Sequence, residues 1–152
     1  MVLSAVRWVG PSLVPALLLL LVIHLSDRRR EPLWLVLLVF VLGGVGKLGT
    51  ALLEARAAVW SGLESTQAAG AAGSTLFLFG FAAPIREASK VAAMWLAFRS
   101  RWFQAPMDGI VYASAAALGF ATVENAMMLR AHPLGWVWLL RTVVALPAHL
   151  FF

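Results

Sequence analysis

Three polar side chains lie in three separate apolar runs, and together their types could hydrolyse an amide. Glu87 falls within residues 75–98, Glu124 within 109–129 and His149 within 136–152. A carboxylate can take a proton from water, and an imidazole can polarise a carbonyl or return a proton to a leaving group. The same donors suit a divalent metal such as zinc, which accepts carboxylate oxygen and imidazole nitrogen. No HExxH, GxSxG or P-loop pattern accompanies them.

Other polar residues flank the three. Glu87 and Lys90 share a helix face at i,i+3 and can pair, whereas Arg86 is turned about 100° away. Phe120 and Glu124 are i,i+4, and Asn125 follows Glu124. Arg141 precedes His149 in the last run. Each of these has an ordinary reading as well. Glu87 with Lys90 can be a neutralised pair, Glu124 and Asn125 can clamp helices together, and a lone histidine is commonly structural. Charges inside apolar runs cost about 2.5–3.5 kcal/mol on insertion scales, so a set spread over three runs points to a shared interior or water-filled cavity.

The elements that must position these residues follow from composition. The chain is 62% hydrophobic and 12% charged, with mean hydropathy +0.88. A soluble domain is about half apolar and a quarter charged. An all-α, polytopic bundle in a lipid bilayer is therefore expected. The absence of cysteine excludes disulfides and thiolate metal sites. The net charge of +5 comes from basic residues scattered between apolar runs, a pattern of membrane topology and not of nucleic-acid binding.

A membrane-crossing helix needs about 20 mainly apolar residues. Five spans are expected, at 8–25, 33–53, 75–98, 109–129 and 136–152. The first reads as a retained anchor, because SDRRREP and no small-residue cleavage site follows it. Residues 54–74 read as a loop with an amphipathic helix around Ala55–Leu63, and 99–108 and 130–135 as short connectors. Lys47 is placed near a span end, where it can snorkel. Pro84 fits the first turn of a helix, with a break expected just before Arg86. Ala113, Ala117 and Ala121 form a small-residue face for close helix approach. Arg28, Arg29, Arg30, Arg99 and Arg101 on one side outnumber Arg7, Arg56 and Arg130 on the other, which sets the N-terminus outside. Trp34, Trp60, Trp102 and Trp136 fall near span ends as interfacial anchors. A single domain, 1–152, is expected: two spans and a loop over 1–74, then a core over 75–152.

That core carries a resemblance. PMDGIVYASAAALGFATVEN (106–125), preceded by APIREASK and followed by RTVVALPAH, resembles the PrsW family of intramembrane proteases, related to the CAAX-protease and bacteriocin-processing membrane proteases. The family pattern in the third span is Pro, a short gap, then Glu-Glu-x-x-Lys. Its second Glu falls on Glu87 and its Lys on Lys90, while Arg86 stands at the first Glu. Phe-x-x-x-Glu-Asn is met by Phe120, Glu124 and Asn125, and the late His by His149. Family members continue past that histidine, so the resemblance implies an incomplete core at the C-terminus.

The resemblance implies peptide-bond hydrolysis in or near the membrane segment of a single-pass protein, by a glutamic or metal-dependent route. Glu87 would be the base or a metal ligand, Glu124 and His149 would complete the water or metal site, Asn125 would serve the oxyanion, and Lys90 would neutralise charge. Because of Arg86, an impaired relative that binds transmembrane partners is the alternative, with Arg86 expected to occupy the Glu87 carboxylate. A small ion or proton transporter is the remote third.

Overall fold

The computed structural model describes residues 2–27, 31–61, 66–131 and 135–151. The described elements are helical: α1 (Val2–Ser26), α2 (Leu33–Ser61), α3 (Thr66–Phe77), α4 (Ala83–Phe98), α5 (Pro106–Ala131), α6 (Trp136–Leu140) and α7 (Leu146–Phe151). Arg28, Arg29 and Arg30, which carry most of the orientation argument, lie outside the described residues, as do Leu63 and 132–134.

Helix α5 is the centre of the bundle. Its apolar stretch, Pro106–Arg130, is 67% buried, against 22% for Val9–Ser26 in α1. Ala115, Ala116, Leu118, Phe120 and Ala121 are fully buried along it. Helices α1, α2, α4 and α7 pack around it. The pattern is inverted relative to a protein in water. Val22, Leu52, Phe79 and Val143 are exposed, while Lys47, Thr50, Lys90, Thr122, Glu124 and Asn125 are buried. Exposed apolar surface of this extent fits a lipid environment, where polar groups must be satisfied inside the bundle.

Among the described residues, three helices are long and apolar enough to cross a membrane: Val9–Ser26, Leu33–Ser61 and Pro106–Arg130. Trp138–Leu150 is a shorter apolar stretch. Ala83–Phe98 is a 16-residue helix carrying Arg86, Glu87 and Lys90.

The α2–α5 crossing is set by glycines. A Cβ at Gly43 would collide with the carbonyl of Ala116, and one at Gly119 with the carbonyl of Phe40. Two backbones thus touch where only hydrogen fits between them. This is not the alanine face expected from sequence. Ala113 and Ala117 instead line a small cavity with Glu87, Lys90 and His149, while Ala116 and Gly119 face α2.

Two corrections to the helix limits matter for function. Residues 54–61 are helical, as expected around Ala55, but they continue α2 through EARAAVWS and do not form a separate helix within a loop. Glu, Ala and Arg are good helix formers, and Glu54 has a partner inside the bundle. Lys47 therefore sits in mid-helix and is only 5% exposed, not at a span end. After 62–65, α3 carries a kink at Gly70, whose φ of 64° suits glycine alone among common residues.

The expected break before Arg86 is a widened helical turn. Residues Leu78–Ala82 form a π turn, with the Ala83 N–H reaching the Leu78 carbonyl. A second π turn spans Arg141–Ala145, with the Leu146 N–H reaching Arg141. Each is followed by a proline, Pro84 and Pro147. Proline lacks the N–H that would bond four residues back, so the i→i+5 bond next to it closes the turn. A third proline has a different remedy. Pro15 leaves the Pro11 carbonyl without its helical donor, and the Trp138 indole N–H supplies one at 3.0 Å. That bond ties α6 to α1.

Candidate active site

Both π turns face one cavity. Its volume is about 410 Å³, and Leu78, Phe79, Arg86, Glu87, Lys90, Glu124, Arg141 and His149 are among its lining residues. Local π turns recur at functional sites. Here they turn Arg86 and Glu87 from one side, and Arg141 and His149 from the other, toward α5.

Glu124 is the hub. It is 8% exposed. Its Oε1 accepts from Arg141 Nη2 at 3.4 Å and lies 3.8 Å from Arg86 Nη1. Its Oε2 lies 3.8 Å from His149 Nε2 and 3.9 Å from Lys47 Nζ. Oε2 is buried with no hydrogen-bond partner among the described residues. The span limits expected from sequence would leave Glu124 and His149 offset by roughly 12 Å in depth. The folded chain brings them into the same cavity.

Glu87 lines that cavity but is engaged by Lys90 at 2.7 Å. Arg86 does not hold Glu87, as expected from sequence. It pairs with Glu54 of α2, Nε to Oε1 at 2.7 Å and Nη2 to Oε2 at 3.0 Å. The 100° separation of Arg86 from Glu87 on the helix explains the choice of partner. Asn125 is buried, and its Oδ1 accepts from Arg141 Nε at 2.7 Å. It does not line the cavity, so the oxyanion role expected for it does not match its placement. Phe120 is buried against the same centre: Lys47 Nζ is 5.2 Å and Lys90 Nζ 5.8 Å from its ring centroid, with the His149 ring 5.9 Å away. Two ammonium groups near one ring make favourable cation–π contacts.

Sequence reasoning missed Glu54 and Lys47 as members of this centre. A signal existed. Residues 47 and 54 are seven apart, about two helical turns, and so share a face of α2. Reading 54 as loop hid it.

The set Glu87, Glu124 and His149 is not gathered within 4.8 Å, whereas Asp27, Glu31 and Asp108 are: their carboxylates form a buried cluster able to coordinate a divalent metal. Tyr112 donates its hydroxyl proton to Glu31 Oε2 at 2.5 Å. Asp108 Oδ2 accepts the backbone N–H groups of Gln104 and Ala105, each at 2.6 Å. Burial, helped by nearby Asp108 and Asp27, raises the Glu31 pKa above its usual range, against the lowering effect of the Tyr112 bond. This cluster sits at the start of α5, 16 residues before Glu124 and hence about 24 Å away along the helix.

Known proteins bear on the arrangement. The family model described as PrsW family intramembrane metalloprotease matches residues 31–152. A protein named Protease PrsW from Oceanobacillus iheyensis is 30% identical over 144 residues, covering 93% of this chain and 62% of that protein. Another of the same name from Shouchella clausii is 28% identical over 140 residues, covering 91% and 61%. The chain thus spans about three-fifths of the length of these relatives. No solved structure matches significantly. Long apolar helices and bacterial relatives together make this an integral, multi-pass bacterial membrane protein. The matched segment takes in α2, α4, α5 and α7, and with them every side chain of the Glu124 centre, and the chain belongs to the PrsW family of intramembrane metalloproteases.

Proposed function

We propose that the Glu124 cavity hydrolyses a peptide bond in or beside the membrane segment of a single-pass protein. The observation that carries this is the Oε2 atom of Glu124, buried and without a hydrogen-bond partner, 3.8 Å from His149 Nε2. A gap wider than about 3.5 Å between polar atoms suits a bridging water. A water admitted beside the pair would meet a base and an imidazole at once.

In this reading Glu124 takes a proton as the water oxygen attacks the scissile carbonyl carbon. The C–N bond then breaks as the proton taken by Glu124 passes through His149 to the departing amine. Arg86 and Lys90 line the same cavity and supply positive charge where the oxyanion develops. Glu87 orients Lys90, and Asn125 orients Arg141. The base role expected for Glu87 passes to Glu124, which keeps an oxygen free.

The family description implies a metal, and the donors as arranged do not fit one. Glu124 and His149 have the spacing of two ligands, but Glu87 is held by Lys90. Lys47, Arg86 and Arg141 all lie within 4.0 Å of Glu124. A dication would enter against three cations, so no step here is routed through a metal. The cluster of Asp27, Glu31 and Asp108 is too distant to serve this centre.

A binding-only relative is the second reading. It is favoured by the engagement of the other carboxylates, Glu54 and Glu87, with Arg86 and Lys90. The test is co-reconstitution of the full chain with tagged single-pass reporters. Proteolysis predicts two fragments with wild type, and a loss of at least about 100-fold in Glu124→Gln and His149→Ala. Cleavage persisting in both variants refutes the assignment. An intact reporter that co-purifies with wild type selects the binding reading.

A further inference from the structure

Glu54 belongs to none of the sequence motifs, yet it controls how Glu124 is held. Lys47 Nζ lies 3.9 Å from Glu54 Oε1 and 3.9 Å from Glu124 Oε2. Arg86 uses Nε and Nη2 on Glu54 and turns Nη1 to Glu124. The two carboxylates thus share two cations. The Glu54 side chain is 16% exposed and that of Arg86 30%, so both are partly withdrawn from water.

A guanidinium is a rigid planar fork, and a bidentate carboxylate fixes its plane. With Glu54 in place, only the third nitrogen of Arg86 is left for Glu124, at 3.8 Å. That distance is too long for a hydrogen bond. Remove the Glu54 charge, and the nearest carboxylate for the whole fork is Glu124. A bidentate fork on Glu124 would take up Oε1, which Arg86 already approaches, together with Oε2, which faces His149. Lys47, released from one of its two carboxylates, would move the same way.

We infer that Glu54 is a positioning residue: by occupying Arg86 and sharing Lys47, it keeps Glu124 Oε2 free of a hydrogen bond and facing His149. The inference rests on the hydrolytic role proposed for Glu124. It also gives Arg86 a defined place. The arginine at the family's first Glu position does not stand alone, because α2 supplies its counter-charge.

The test uses the full chain with the single-pass reporter above. Glu54→Gln lowers kcat by about 10- to 100-fold and leaves KM within about twofold, because geometry at the reacting centre is disturbed and reporter binding is not. Glu54→Asp retains more activity than Glu54→Gln. Adding Glu54→Gln to Arg86→Gln costs less than Glu54→Gln alone, because Arg86 is one of the two routes by which Glu54 acts and Lys47 is the other. A Glu54→Gln variant with wild-type kcat, or one whose loss is additive with that of Arg86→Gln, overturns the inference while leaving Glu124 catalysis intact.

Thermal melts make a second, activity-free measurement. Glu54→Gln and Glu124→Gln are expected to shift the midpoint non-additively, although the two residues do not pair. The non-additivity shrinks in an Arg86→Gln background. Should wild type cleave no reporter, the hydrolytic reading fails, and additive melts would remove the positioning link as well.

Discussion

Glu124 Oε2 and His149 Nε2 face each other across 3.8 Å, from helices α5 and α7. Arg86 and Arg141 lie against Oε1, and Lys47 approaches Oε2 at 3.9 Å. On the hydrolytic reading proposed for Glu124, these side chains supply the charge that a dication would supply in a metal-dependent protease. Reporter cleavage is therefore expected to survive chelation by 1,10-phenanthroline or EDTA within about twofold, while Glu124→Gln abolishes it. Loss of cleavage on chelation, restored by zinc, would show that the cations yield to a metal.

Much of this was legible in the sequence, and the failures share a cause. Glu124 and His149 stand out in the sequence because an ionisable group inside an apolar run has few reasons to be there, and the fold brings both to one cavity. Helix existence followed from hydropathy. Pairing between helices did not, because sequence spacing reports only neighbours on one helix. Hence Glu87 with Lys90 was found, and Arg86 with Glu54 was not. The α2 end was misplaced because Glu54 and Arg56 look like a loop by hydropathy, although their helix propensity is good. The contact of Gly43 with Ala116 depends on which face of α5 turns to α2, and a small-residue count alone offered the wrong face.

Gly43 and Gly119 are expected to tolerate no methyl group. Each Cβ would overlap a carbonyl of the opposing helix, so α2 and α5 must separate along their length. Gly43→Ala or Gly119→Ala should cost about 1–3 kcal/mol by overpacking. Gly49→Ala, whose Cβ meets nothing within 4 Å, serves as the control and should be neutral or slightly stabilising through helix propensity. Thermal melts in one detergent check the ranking.

Trp138→Phe removes the indole N–H that serves the Pro11 carbonyl. The ring remains and the donor is lost, leaving a backbone oxygen without its partner. The expected loss is about 1–2 kcal/mol. Pro15→Ala in the same background restores a helical N–H to that oxygen and should recover most of the loss. Equal melts for Trp138→Phe with and without Pro15→Ala would count against this tie.

Stability should also depend on pH through Glu31. Its pKa is raised from 4.5 in the fold, chiefly by burial. A raised carboxyl favours the folded state when protonated. The contribution is thus full below about 4.5 and is lost as pH rises through the folded value. Glu31→Gln keeps a neutral side chain throughout. The midpoint of wild type should fall between about pH 4.5 and pH 8, and that of the variant should fall less. Parallel curves would mean that Glu31 contributes no pH dependence.

Arg86→Glu restores the carboxylate that the family pattern places at this position, and on the reading of an impaired relative it would raise activity. The fold predicts otherwise. Residue 86 faces Glu54, which is only 16% exposed on its side chain, and it lies within reach of Glu124. A third carboxylate there would leave Lys47 as the one cation shared by Glu54 and Glu124 in the contacts of this centre. Breaking the pair should cost about 1–3 kcal/mol, less than for a fully buried pair because the guanidinium is partly solvated. Reporter cleavage should not rise. Adding Glu54→Gln removes the repulsion and should recover most of the midpoint, because the cost arises between residues 54 and 86. A single Arg86→Glu variant that melts like wild type and cleaves faster would show that Glu54 exerts no hold on this position.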